Sequence, residues 1–203
     1  MELLLFSDLH TDRAAAQRLV ERSRFVDIVI GAGDFGNMRR NVRACFEVLR
    51  AIDKPAVLVA GNNESTDELR EASRDWPTAI VLHGSGTRIN GVDFFGIGGG
   101  IPVTPFGSWS FDFTEEQAAG MLKDCPTGCV LVSHAPPHGI LDIDSGGKNR
   151  GSSTIREAVL RLQPILVVCG HIHACGGRTA MLDKTTIINA GPAGVEWHWQ
   201  GQG

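Results

Sequence analysis

Short, wholly apolar runs recur along this chain, and each leads at once into a cluster of polar side chains and glycine. Leu3 to Phe6 runs into Ser7-Asp8-Leu9-His10, Val26 to Ile30 into Gly33-Asp34, and Ala56 to Val59 into Gly61-Asn62-Asn63-Glu64. Cys129 to Val132 runs into Ser133-His134, and Ile165 to Val168 into Gly170-His171-Ile172-His173. Runs that are apolar at every position predict strands buried on both faces, as in parallel sheets. Between them the apolar spacing becomes helical. It predicts helices over 12–23 (Ala15, Ala16, Leu19, Val20) and 38–51 (Val42, Cys45, Phe46, Leu49). Ser65 to Glu68 and Thr114 to Gln117 carry capping chemistry for two more, ending at Trp76-Pro77 and about Leu122, and Ser152-Ser153 opens another to about Leu162.

The rhythm changes in the middle of the chain. Short strands are expected at 79–82, 87–90 and 92–97, the last two joined by an Asn90-Gly91 turn. Segments 98–113 and 135–151 have no period, and loops of that length are usually functional. A hairpin of 178–182 and 185–189 closes the pattern. Alternating strands and helices followed by hairpins predict an α/β fold: two mixed β-sheets packed face to face and flanked by helices. No repeat or linker interrupts it, so residues 1–203 are read as a single domain.

Composition narrows the function. The chain is 42% apolar and 21% charged with a net charge of −4, which suits a folded protein and gives nucleic-acid binding no support. No apolar run is long enough for a bilayer, so no membrane partner is expected. Met1 to Asp8 lacks the basic start of an export signal and reads as the first strand. Five cysteines, an odd number in a chain of this size, make no disulfide framework and point to the cytoplasm.

The chemistry sits at the strand ends, where open α/β sheets bind ligands. Asp8, His10, Asp34, Asn62, His134, His171 and His173 offer carboxylate, imidazole and amide donors of the kinds that bind divalent ions. Asp8 and His10 are two residues apart, as are His171 and His173, so on extended backbone each pair projects to one side. Seven donors exceed one tetrahedral ion but suit two ions sharing a carboxylate. Manganese is the expected metal, and iron, zinc or nickel fit the same donors. Such a pair can hold a bridging hydroxide for in-line attack on phosphorus.

Read together and in order, these five motifs resemble the calcineurin-like metallophosphoesterase family. The resemblance spans residues 7 to 173. It implies a four-layer α/β sandwich and a dinuclear centre that hydrolyses phosphoesters. Carried over by motif position, Asp8, His10, Asp34 and His173 hold one ion. Asp34 bridges to a second, held also by Asn62, His134 and His171. One position departs: the family's usual Gly-Asn-His becomes Gly61-Asn62-Asn63. The missing histidine is the residue that contacts phosphate and helps protonate the leaving group. Asn63 can hydrogen-bond a phosphate oxygen but cannot deliver a proton. Some small members with a non-histidine residue there behave as phosphodiesterases, so the resemblance leans to diester hydrolysis. His138 is the candidate for the missing acid. A phosphomonoesterase or phosphoprotein phosphatase is the first alternative, and a metal-free scaffold on the same fold is the non-enzyme one. A small phosphoester is the expected partner, and the oligomeric state is left open.

Further candidates surround these motifs. Asn37 either hydrogen-bonds a metal-bound group or starts the helix at Met38, and Arg39 and Arg40 open that helix near the rim. Lys148 and Arg150 are candidate phosphate clamps. Trp109 and Phe111 either wall a pocket or form a small core. Trp197 and Trp199 mark a last strand or an oligomer contact, Cys175 is read as a free thiol, and His83 as structural.

Overall fold

In the computed structural model, which describes residues 1–200, the apolar runs form the strands of two sheets. Residues 201–203, included in the single-domain expectation, lie outside the described residues. The elements in order are β1 (Glu2–Phe6), α1 (Arg13–Ser23), β2 (Ile28–Ala32), α2 (Arg43–Leu49), β3 (Ala56–Val59), α3 (Thr66–Ser73), β4 (Ala79–Val81), β5 (Ser85–Ile89) and β6 (Val92–Ile97). They continue with α4 (Glu115–Met121), β7 (Val130–Ser133), α5 (Ser153–Leu162), β8 (Leu166–Cys169), β9 (Arg178–Leu182), β10 (Thr185–Asn189) and β11 (Val195–His198). One sheet has the order β11-β1-β2-β3-β4, the other β5-β6-β7-β8-β10-β9. β1 to β4 are parallel, as are β6, β7, β8 and β10, while β11, β5 and β9 join antiparallel.

Period-two alternation then sorts the side chains into layers. On β1 to β3, Leu4, Phe6, Val29 and Leu58 pack outward with Leu19, Phe46, Leu69 and Trp76 beneath α1, α2 and α3. Leu3, Leu5, Ile30, Val57 and Val59 point the other way and meet Phe94, Val130, Val132, Leu166 and Ile188 of the second sheet. That sheet's outer face packs Leu131, Val167 and Ile187 on Ala118, Ile155 and Val159 of α4 and α5. Helices, sheet, sheet and helices make the four layers. Caps hold the helix starts: Asp12, Ser65, Thr114 and Ser152 each accept a backbone N–H of the first turn. Among the described residues no helix is long and apolar enough to cross a membrane.

One helix is shorter than its spacing predicts. The segment expected to be helical from Met38 begins its helix at Arg43, and residues 37–40 form a turn closed by paired Asn37 and Arg40 backbone bonds. Met38, Arg39 and Asn41 have positive φ (46°, 64° and 57°), which no α-helix tolerates. The turn is held from outside, since Arg39 N–H donates to the Asn63 carbonyl and Met38 N–H to Asn63 Oδ1. Arg39 and Arg40 are therefore turn residues. Arg39 pairs with Glu68 at 2.5 Å.

Candidate metal centre

The carboxyl ends of β1, β2, β3, β7 and β8 meet at one rim, and all seven expected donor residues stand there. Oxygen and nitrogen atoms of Asp8, His10, Asp34 and His173 lie within 4.8 Å of one another. His10 Nε2 faces His173 Nε2 at 3.0 Å and Asp34 Oδ2 at 3.5 Å, and His173 Nε2 stands 3.7 Å from Asp8 Oδ1. The other oxygen of Asp34 looks elsewhere: His134 Nε2 lies 3.5 Å from Oδ1. Asn62 Oδ1 completes that group, 3.4 Å from His134 Nε2 and 3.1 Å from His171 Nδ1. Two donor sets thus flank one carboxylate.

The local reason differs from the expected one. Asp8, His10 and His171 are not on extended backbone but at φ of 56°, 44° and 67°, and Asp34 is at 59°. Left-handed residues at strand ends turn the chain sharply, so the side chains converge through turns rather than strand alternation. Such backbone is costly for non-glycine residues and concentrates at functional sites. Close approach adds a second constraint. A Cβ on Gly61 would come within 2.7 Å of Asp34 Cγ, and one on Gly170 within 2.6 Å of Asp8 Oδ2.

Neighbouring groups fix the orientation of the donors. His134 Nδ1 donates to the Ala32 carbonyl at 2.7 Å, which leaves Nε2 free as a donor to a cation. His10 Nδ1 does the same toward Asn37 Oδ1 at 2.9 Å, while Asn37 Nδ2 returns a bond to the His10 carbonyl. Asn37 therefore holds His10 instead of starting a helix. Ser7 Oγ donates to Asp8 Oδ2 at 2.5 Å and accepts from Gly191 N–H. Two buried side chains with no role foreseen complete the frame. Glu64 accepts from the N–H groups of Gly61, Asp34, Phe35 and Gly36, tying the β2 turn to the β3 turn. Asn189 Nδ2 donates to the carbonyls of Gly170 and Ile172 and so sets the loop that carries His171 and His173. Asn189 is the last residue of β10, after Ile187 and Ile188, so it too stands at a strand's carboxyl end.

Electrostatics fit a cation. Burial opposes charge on Asp34, but the His134 and His10 rings and the Asn63 N–H hold its carboxyl below the usual range. Burial raises Asp8, and the Asp34 charge adds to that, outweighing the pull of His134. Burial drives His171 down to about 3, helped by His134, so its ring is a neutral donor. Burial and Asp34 push Glu64 up to about 7. Two buried carboxylates that repel each other, with ring nitrogens converging on them, form a donor set that divalent ions satisfy.

The remaining candidates divide. Asn63 is buried; its Nδ2 donates to Asp34 Oδ2 at 2.7 Å and its Oδ1 accepts from Met38 N–H, so the amide is already engaged. His138 lines the cavity above the centre, and its backbone accepts from Arg156. Trp109 lines that cavity too, whereas Phe111 packs edge to face on Phe113 and beside the tilted His83 ring in a small core. His83 is structural in that it accepts from Gly98 N–H through Nδ1. Arg150 reaches the cavity paired to Asp144 at 2.8 Å, and Lys148 stands outside its lining. Cys175 is a buried free thiol against the Ile143 carbonyl. Trp197 lies on β11, antiparallel to β1, and packs with Trp199 at the edge of the core between the sheets.

A family model described as calcineurin-like phosphoesterase matches residues 1–175. Among solved structures, protein TT1561 of Thermus thermophilus is similar with a TM-score of 0.72 and 19% identity over 95% of this chain and 90% of that one. The phosphopantetheinyl hydrolase of Mycobacterium tuberculosis superposes with a TM-score of 0.62 and 16% identity, covering 93% of this chain and 88% of its own. A dimetal phosphatase of Danio rerio does so at 0.58 and 14%, covering 93% and 86%. At these identities the structural likeness is one of fold. No curated protein matches the sequence.

Proposed function

The chain belongs to the calcineurin-like phosphoesterase family, a family of metal-dependent phosphoester hydrolases, and we propose that this member hydrolyses phosphodiesters at a dinuclear centre. The observation that carries the dinuclear reading is the division of Asp34. Its Oδ2 faces the set of Asp8, His10 and His173, and its Oδ1 the set of Asn62, His134 and His171. Divalent ions held by these sets, manganese in our reading, supply charge to neutralise phosphoryl oxygens and to acidify an attacking water. The chain's own task is to hold seven donors in register, which Ser7, Asn37, Glu64 and Asn189 do through the bonds described above. Asn63 braces the shared carboxylate and presents no acid, so the leaving oxygen receives no proton from this position. That favours diesters over monoesters. A monoesterase is the second reading, supported by His138 on the wall of the same cavity. The five free cysteines, all buried, are consistent with a reducing cytoplasmic setting.

The test compares an aryl phosphodiester with its matching monoester, using metal-stripped protein refilled with manganese. Diester hydrolysis that needs manganese and disappears in Asp34→Asn supports the reading, as does a shift toward the monoester in Asn63→His. Monoester preference in the native protein that is lost in His138→Ala supports the second reading instead. Protein that binds no manganese overturns both.

A further inference from the structure

The cavity above the candidate metal centre has a volume of about 850 Å³, far more than a phosphate group fills. Its floor includes His10, Asp34, Asn62 and His171, and its walls are unlike one another. One wall is apolar. There Phe106 and Trp109 stack with ring centroids 5.7 Å apart and planes inclined by 15°. Phe106 is nevertheless 51% exposed and its neighbour Val103 58%, although both belong to a chain whose other phenylalanines are mostly buried. A stacked pair left facing an open cleft presents a flat π-surface, which binds planar groups whatever their hydrogen-bonding edge.

This wall is fastened to the centre. Asn62 Nδ2 donates to Ser110 Oγ at 3.1 Å, and the Asn62 carbonyl accepts from Phe111 N–H at 3.0 Å. Asp112 in turn takes Ser110 Oγ on one oxygen and Thr104 N–H and Oγ1 on the other, closing the loop on which Phe106 and Trp109 sit. The same amide that offers Oδ1 to the second donor set therefore positions the residue next to Trp109. The opposite wall is polar, carries the Glu115 carboxylate, and offers no free positive charge. Among the described residues Arg150 is the one arginine or lysine lining the cleft, and Asp144 neutralises it. A cleft without a free cation does not suit a polyanion.

Resting on the phosphoesterase reading above, we propose that the Phe106–Trp109 surface is the subsite for the organic part of the substrate. The substrate class is then a phosphoester with a single phosphate linked to an uncharged planar group, an aryl ring or a nucleobase.

The test is equilibrium binding to manganese-loaded protein of phenylphosphonate against methylphosphonate, and of adenosine 5′-monophosphate against ribose 5-phosphate. At least one planar ligand is expected to bind roughly tenfold more tightly than its partner, the gain a stacked ring or base supplies. Trp109→Leu and Phe106→Ala should remove that preference while methylphosphonate binds as before. Trp109→Phe should keep most of it, and circular dichroism checks that each variant folds. Preference in the phenyl pair alone identifies an aryl ester, and in the adenosine pair a nucleotide. Equal binding within both pairs, or a preference that survives the two substitutions, overturns the subsite while leaving the metal-centre reading intact. Failure of methylphosphonate to bind native protein overturns both.

Discussion

Gly61→Ala is expected to disable the centre by adding a single methyl group. Gly61 needs no unusual φ, so its glycine is required for space alone. The new Cβ would lie 2.7 Å from Asp34 Cγ, and closer to that residue's Oδ1 and backbone N. An ordinary carbon–carbon contact is about 3.5–4.0 Å, so the two turns must part by about 1 Å. The carboxylate cannot swing aside cheaply. Asn63 N–H and Nδ2 hold both its oxygens at 2.8 and 2.7 Å, and Glu64 bonds Gly61 and Asp34 from behind. The strain should cost about 1–3 kcal/mol of stability, as overpacking does. A 1 Å displacement of a reacting group costs about 100-fold in rate. We therefore expect folded protein whose kcat/KM for its phosphoester falls about 100-fold and whose divalent-metal content drops below that of the native protein. The assay is metal analysis beside steady-state kinetics, with a urea titration for stability. Gly120→Ala is the control, because a Cβ there meets nothing within 4 Å and the residue lies in α4. It should leave activity unchanged and raise stability by roughly 0.5–1 kcal/mol. Native kcat/KM and metal content in Gly61→Ala would refute the close-packed turn as the device that sets Asp34.

Three other outcomes are expected. Asn189→Ala removes two buried bonds to the Gly170 and Ile172 carbonyls, so it should cost about 2–3 kcal/mol in urea unfolding and weaken manganese binding; unaltered affinity would separate Asn189 from the centre. Ser152→Ala loses the cap of α5 and the bond to Glu115, for about 1–2 kcal/mol with metal binding unaffected, which thermal melts and metal titration check together. His83 is held below its ordinary 6.5, first by burial and then by Arg70, and its neutral Nδ1 accepts from Gly98 N–H. The unfolded chain therefore binds the proton more tightly, and this contribution to stability is present above 6.5 and lost as pH falls below it. Urea midpoints at pH 7.5 and 5.0 should differ less in His83→Phe than in the native protein, and equal differences would exclude this role.

The sequence by itself determined where the strands run and which residues end them. Burial on both faces leaves the centres of β1, β2, β3, β7 and β8 without a polar side chain, so the first polar residue after each apolar run marks its carboxyl end. This is local information, carried by neighbouring residues, and it was enough to name the seven residues that gather at one rim. The length of α2 was not legible in the same way. Val42, Cys45, Phe46 and Leu49 kept helical spacing, but residues 38–41 were taken into a turn by Asn63, some 25 positions away. Asn63 itself shows the limit. Its chemistry ruled out proton donation, yet only packing revealed an amide spent on Asp34 and Met38 rather than left free for phosphate. Which oxygen of Asp34 faces which donors, and the bracing by Glu64 and Asn189, arise from contacts between strands far apart in the chain. So does the choice of Trp109 for the cleft and Phe111 for the core. Side-chain pattern fixes an element's place and burial, whereas the direction in which a polar atom points is decided by partners that arrive only when the two sheets close on each other.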